Sequence, residues 1–257
     1  MTKPRRPGLK ASTARRSPAL SAVRAALRAR IEPGRAKSNA WFFKTGPGEY
    51  GEGDRFLGVT VPNLRALSRQ FAALPIDLTL SLLRSPWHEE RLLALFVMVR
   101  AYERGTPADR SLIYRAYLAN TRYVNNWDLV DSSAAQIVGA HVADCGPLSV
   151  LGRLSKSKGL WERRIAMIAT LYFIRNGDVA PALQIAARLV HDEHDLIHKA
   201  VGWMLREVGA RDLAAEERFL AKHCRTMPRT ALRYAIEKFP DRRRKRYLRG
   251  EVCVRFR

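Results

Sequence analysis

Apolar residues recur at helical spacing through almost the whole chain, and no other feature limits the possible folds so strongly. In the stretch 91–99, Leu92, Leu95, Phe96 and Val99 follow the i, i+3, i+4, i+7 pattern of a buried helix face. Similar faces run through residues 22–31, 64–74, 164–174, 182–190, 199–208 and 230–239. Alternation of strand type is almost absent. Short breakers separate the helices: Gly105-Thr106-Pro107, Gly146-Pro147, Gly177-Asp178 and Met227-Pro228. Connections that short favour antiparallel neighbours. The expected class is all-α.

The helices also resemble one another. Trp87-His88-Glu89-Glu90-Arg91-Leu92 is echoed by Trp161-Glu162-Arg163-Arg164-Ile165. Lys199-Ala200-Val201-Gly202-Trp203 and Arg229-Thr230-Ala231-Leu232-Arg233-Tyr234 repeat the theme of a basic residue followed by small and apolar ones. From Arg164 to Lys199 is 35 positions, from Lys199 to Thr230 is 31, and from Arg91 to Arg164 is 73, about twice that. A helix-pair repeat of this length predicts an α-α superhelix, a solenoid of HEAT-like pairs in which each pair buries its face on the next. An irregular helical bundle is the alternative. In the solenoid, Arg91, Arg164 and Lys199 hold equivalent places and are expected to project along a concave groove as a ladder of cations.

Charge names the partner class. There are 46 Lys+Arg against 24 Asp+Glu in 257 residues, a formal net charge of +22. Self-repulsion of that size opposes compactness, so a polyanionic partner is expected, nucleic acid before an anionic membrane surface. No apolar run reaches the roughly 20 residues that span a bilayer, and no N-terminal apolar stretch reads as a signal peptide. The expected organisation is a disordered basic arm over 1–17, a helical-repeat domain over 18–240 and a basic tail over 241–257. Cys145, Cys224 and Cys253 are widely spaced, without a Cys-x-x-Cys pair. They predict neither a disulfide framework nor a zinc site, and they fit a reducing, cytoplasmic setting.

The stretch Val124-Asn125-Asn126-Trp127-Asp128-Leu129-Val130-Asp131 carries the most local information. Asn125 or Asn126 suits a helix N-cap, with Asp128 in the first turn. Trp127 and Asp131 are four apart and share a helical face. An aromatic ring beside a carboxylate suits a cationic ligand. Taken alone, the pair equally fits a Trp packed between repeats and an Asp serving a neighbouring Arg. Two companions add weight: Leu160-Trp161-Glu162-Arg163-Arg164 and Lys199-Ala200-Val201-Gly202-Trp203-Met204-Leu205-Arg206-Glu207.

Together these segments, with Phe56-Leu57-Gly58-Val59 and Pro62 upstream, resemble the AlkD-type DNA alkylation repair family, HEAT-like-repeat DNA glycosylases. The resemblance spans about residues 41–239, and its most specific part is the 199–207 segment. It implies that Asp131 is the catalytic carboxylate, with Trp127 and Trp203 flanking the lesion's deoxyribose. It implies a phosphate contact for Arg164 and an aromatic near the DNA at Phe42; Lys199 and Arg91 of the cation ladder, with Arg206, are expected to bind DNA beside them. The sequence departs from the family pattern at Asn126, where a second Trp is expected, and at Leu196, where an aromatic is expected. Both departures concern the shape of the groove.

The implied reaction suits those residue types. A purine alkylated at N3 or N7 is already cationic, so its N-glycosidic bond is weakened and the base leaves without protonation. One carboxylate beside the sugar stabilises an oxocarbenium-like centre and orients a water. The expectation is a monofunctional glycosylase of base excision repair, a nucleoid-associated monomer acting on duplex DNA containing alkylated bases. No deep base flipping, cofactor, metal or protein partner is implied. The alternative is a non-catalytic repeat protein that holds damaged or branched DNA. His194 and His198 are four apart, as in zinc helices, but lack a spaced third ligand. Asp192 or Asp195 reads better there as the cap of the helix carrying Trp203. Ser132 and Ser133 lack a histidine partner for nucleophilic catalysis.

Overall fold

A computed structural model describes residues 16–252, with side chains from residue 19 onward. Two compact units divide the chain, residues 1–101 and 102–257. Among the described residues every named element is helical. The one β-type pairing found there is an isolated bridge between Arg55 and Trp87. The fold is an all-α helical-repeat solenoid, as the periodicity predicts. The basic arm expected over 1–17 falls almost wholly outside the described residues.

The first unit holds α1 (Arg16–Arg28), α2 (Arg35–Phe42), α3 (Val61–Gln70), α4 (Ile76–Leu83) and most of α5 (His88–Arg104). α1 buries Val23 and Leu27, and α3 buries Leu64 and Leu67. Pro62 in the first turn of α3 costs no hydrogen bond, because amides there have no intrahelical partner. The loop from α2 to α3 is fixed onto the start of α5. Glu89 accepts the backbone amides of Leu57 and Gly58, both at 2.8 Å, and of Val59 at 3.3 Å. Gly58 sits at φ +91°, and a Cβ there would meet the Ala36 amide nitrogen at 3.0 Å, so glycine is required both by conformation and by space.

The second unit runs on from Tyr102 through α6 (Pro107–Leu118), a 3-10 turn (Thr121–Tyr123), α7 (Trp127–Asp131), a π-helical turn (Ala135–Gly139), α8 (Ala140–Asp144) and α9 (Ser149–Leu154). It ends with α10 (Leu160–Arg175), α11 (Ala180–Leu189), α12 (Asp195–Gly209), α13 (Leu213–His223), α14 (Arg229–Ala235), a 3-10 turn (Ile236–Lys238) and α15 (Asp241–Leu248). The stacking is that of helix pairs. The π-helical turn, α10, α12 and α14 pack in succession as one layer, while α11 lies against α10 and α12, and α13 against α12.

Two glycines set the spacing of that layer. A Cβ on Gly139 would come within 2.2 Å of the Ala169 carbonyl and 2.9 Å of the Tyr172 Cβ. A Cβ on Gly202 would come within 2.4 Å of the Ala231 carbonyl and 2.5 Å of the Tyr234 Cβ. The same contact, glycine on an Ala-x-x-Tyr turn, thus recurs from one repeat to the next. Neither glycine has a positive φ, so close helix approach alone accounts for them.

Two expectations need correction. The arginine-rich segment expected as a tail forms α15, anchored by the buried ring of Tyr247. Amphipathicity explains the difference: Tyr247 reaches the aromatic edge of Phe239 at 5.6 Å. The three cysteines are not all free thiols. Cys224 is disulfide-bonded, whereas Cys145 is free and exposed.

Candidate active site

α7 is a single turn whose start and end are both defined by side chains. The Asn126 side-chain carbonyl accepts the Trp127 amide at 2.8 Å from an extended backbone, which makes Asn126 the cap. Asp128 accepts the Leu129 amide at 2.8 Å. Ser132 and Ser133 then turn their hydroxyls back onto the Asp128 and Leu129 carbonyls, both at 2.6 Å. Hydroxyls that back-bond in this way bend or end a helix. The chain leaves α7 into the π-helical turn, a distortion often found at functional sites. Asp131 is therefore the last residue of α7, four positions from Trp127, and both side chains are partly exposed.

Asp131 is held from behind. Arg164 of α10 donates from Nε to Oδ1 and from Nη2 to Oδ2, both at 2.8 Å, the two-pronged geometry that suits guanidinium and carboxylate. Its remaining arm donates to the Leu196 carbonyl in the first turn of α12. One arginine thus joins α7, α10 and α12. Arg164 is 5% exposed, whereas the Asp131 side chain keeps 18% of its surface open. Burial lifts the Asp131 carboxyl above the ordinary carboxylate value, against the charge and hydrogen bonds of Arg164, and Asp128 adds a smaller upward push. Beneath the pair, Tyr117 and Ser133 share a hydrogen bond of 3.0 Å. Burial, with the Asp131 charge as a smaller contribution, raises the Tyr117 phenol far above its usual range.

The other anticipated residues fall in several places. Trp203 lies on α12, partly exposed, with Nε1 donating to Glu207 at 2.9 Å. Lys199 pairs with Asp195 at 2.7 Å, one turn back on the same helix. Arg206 is shared between Glu237 and Glu207. In the first unit, Phe42 is 56% exposed and meets Phe43 edge-on at 5.1 Å; its neighbour Trp41 is 83% exposed.

The expected ladder of projecting cations does not form at Arg91 or Arg164. Arg91 is buried, donating to Asp54 and, at 3.1 Å, to the Ser85 carbonyl. Asp54 also takes His88 Nδ1 at 2.9 Å. Burial alone would raise the Asp54 carboxyl, but the His88 hydrogen bond and the Arg91 charge outweigh it and hold it below its usual value. Both arginines share a physical reason: each sits near the start of a helix with few exposed positions, within reach of a carboxylate that is wholly (Asp54) or mostly (Asp131) buried.

The histidine pair is occupied as well. His194 caps α12, its Nδ1 accepting the Leu196 amide at 3.1 Å, where Asp192 or Asp195 was expected. Asp192 instead accepts from Arg163 at 2.6 Å, and His198 Nε2 contacts the Asp192 carbonyl. Glu162, unremarked in the sequence, ties two loops by accepting from Thr121 at 2.8 Å and Ser157 at 2.5 Å.

The profile of the DNA alkylation repair enzyme family matches residues 23–239, most of the chain and all of the elements from α7 to α14. The chain belongs to that family. A solved structure described as a predicted DNA alkylation repair enzyme from Enterococcus faecalis superposes with a TM-score of 0.64 at 17% identity, covering 82% of this chain and 98% of that one. At that identity the likeness is one of fold. No curated protein sequence matches. Membership in the DNA alkylation repair family makes DNA the substrate class, in keeping with the surplus of cations.

Proposed function

We propose that this member of the DNA alkylation repair family is a monofunctional glycosylase that hydrolyses the N-glycosidic bond of cationic N3- or N7-alkylpurines in duplex DNA. The observation that carries the reading is Asp131: a partly exposed carboxylate beside Trp127 on one turn, aimed and backed by a buried arginine. Arg164 uses one lone pair on each carboxylate oxygen, which leaves acceptor capacity on both. Holding the acid from behind opposes the upward push of burial and prevents the carboxylate from turning away.

The chemistry follows from that placement. As the C1′–N bond breaks, its electron pair neutralises the cationic purine, which leaves as a neutral base. Positive charge moves to the sugar, where the Asp131 oxygens stabilise it. A water polarised by the same carboxylate adds its oxygen to C1′ and gives its proton to that carboxylate, which returns it to solvent. The products are the free base and an abasic sugar. Trp127 and Trp203 contribute ring faces to a cationic centre. Fixed dipoles at a developing charge contribute most when they need no reorganisation, and a two-pronged ion pair is such an arrangement.

The test is release of 3-methyladenine or 7-methylguanine from methylated duplex DNA by the full chain, with Asp131→Asn alongside. Release by the wild type and its loss in the variant, with DNA affinity retained, supports the glycosylase. DNA binding without release by either protein supports the binding-only reading.

A further inference from the structure

Away from Asp131, the second unit carries a half-open pocket of about 220 Å³ where α12 and the 236–238 turn end and α13 and α15 begin. We propose that this pocket binds a phosphate-type oxyanion, held by Arg206, Lys238 and Arg243, with the Glu216 side chain as a hydrogen-bond donor in its wall. All four residues line it, together with Gly209, Leu213 and Phe239.

Glu216 is the feature that calls for a ligand. It is 1% exposed, and its Oε1 has no hydrogen-bond partner in the protein. A buried carboxyl with an unpartnered oxygen costs several kcal/mol if it is charged, so such groups normally sit beside a donor or stay neutral. Burial pushes Glu216 up to about 8, with Arg243 pulling the other way, so near neutrality it is a carboxylic acid with an O–H to donate. Gly209 makes room for it: a Cβ there would lie 1.7 Å from Glu216 Oε2. Gly209 has no positive φ, so the glycine answers to the carboxyl and not to backbone conformation.

Size and charge select the ligand. The volume corresponds to roughly seven waters at about 30 Å³ each, below the range of about 300–1,000 Å³ usual for larger organic ligands. Three cations and one neutral acid disfavour a metal ion and favour an anion. Arg206 also faces Glu237 and Glu207, and Arg243 faces Glu217, yet each guanidinium has five donors to share. Lys238 has no acidic partner among the described residues. Two helices end and two begin here, so their dipoles oppose and the side chains decide the sign. The titratable groups that share the wall with Glu216 are Arg206 from α12, Lys238 from the 236–238 turn and Arg243 from α15, with Tyr247 of α15 also close enough to feel its charge.

The test titrates the full-length protein with sulfate, whose charge is constant over the pH range, and with inorganic phosphate, by calorimetry at fixed ionic strength between pH 6 and 9. Wild-type affinity for sulfate should fall about tenfold from pH 7 to pH 9 as Glu216 ionises. Glu216→Gln keeps a neutral donor of the same shape and should bind with a flat profile. Lys238→Glu, at an exposed position, should lose binding with the fold intact. Absence of saturable binding by the wild type, or an unchanged pH profile in Glu216→Gln, overturns the proposal. Competition by 5′-phosphorylated oligonucleotides but not by unphosphorylated ones assigns the source to a DNA terminus. Competition by neither assigns it to free phosphate, and equal competition by both overturns the pocket as the site. None of these outcomes depends on glycosylase activity.

Discussion

Asp131→Asn separates chemistry from scaffolding because the two effects differ greatly in size. Asparagine keeps the shape and one acceptor oxygen, so it retains one of the two 2.8 Å contacts with Arg164 and turns an amide against the other arm. Losing a charge-assisted hydrogen bond at a buried partner costs about 1.5–3 kcal/mol. In a chain of this length each kcal/mol lowers Tm by about 2–4 °C, so the melt should move down by about 3–12 °C. Even from the low end of ordinary stability, about 5 kcal/mol, roughly 97% of the variant stays folded at 25 °C. Unfolding therefore removes only a few per cent of activity. Removal of a preorganised charge next to the reacting centre costs about 10²–10³ in rate. The assay is single-turnover release of 7-methylguanine from duplex DNA at 25 °C, with the melt and the DNA affinity of the same preparation. A rate within tenfold of wild type alongside the expected drop in Tm would refute the catalytic role and leave Asp131 as a partner for Arg164 alone.

Because burial raises the Asp131 carboxyl and the proposed mechanism uses its ionised form, excision should decline as pH falls through a value above the ordinary carboxylate pKa of about 3.9. A single-turnover pH profile with its acid limb at or below that value contradicts the site. Arg164→Ala strands a buried acid and should destabilise by about 3–5 kcal/mol, yet leave the salt slope of DNA binding unchanged, because a buried, paired guanidinium holds no counterion to release. A slope reduced by about one phosphate would place Arg164 on the DNA. Gly202→Ala should cost about 1–3 kcal/mol or more through overpacking against Ala231. Gly152→Ala, on a helix with open space around it, should be neutral or stabilising by up to about 1 kcal/mol. Equal denaturant midpoints for the two would reject the close-contact explanation.

Much of the fold was legible because helical periodicity and breakers are local signals. The 22–31, 164–174 and 199–208 faces are α1, α10 and α12 to within a few residues. The π-helical turn was not legible, since it arises where Ser132 and Ser133 turn their hydroxyls back on α7. Repeat spacing put Arg91 and Arg164 at equivalent positions, but it could not say which way they faced. A usable signal was present: residues 92–98 and 165–171 are apolar or small almost without interruption, and a helix apolar all round is buried. A cation in the first turn of such a helix needs a buried acid. The same logic exposes Glu216, which shares its helical face with Phe219 and Leu220. His194 was missed as a cap because imidazole seldom fills that role, and only the fold shows its Nδ1 facing the Leu196 amide. Leu196 itself departs from the family pattern in its side chain, yet supplies the Arg164 contact through its backbone, which any residue could provide.

The grip of Arg164 on both Asp131 and the Leu196 carbonyl has a mechanical meaning. Separating a buried ion pair costs about 3–5 kcal/mol, so a loosened site is populated at roughly one part in 10² to 10⁴. The acid is then a rigid reference point that thermal flexing of the array scarcely displaces. In the proposed reaction a distorted nucleotide has to bring its sugar to the carboxylate, and undamaged DNA, stiff and fully stacked, has less freedom to make that approach.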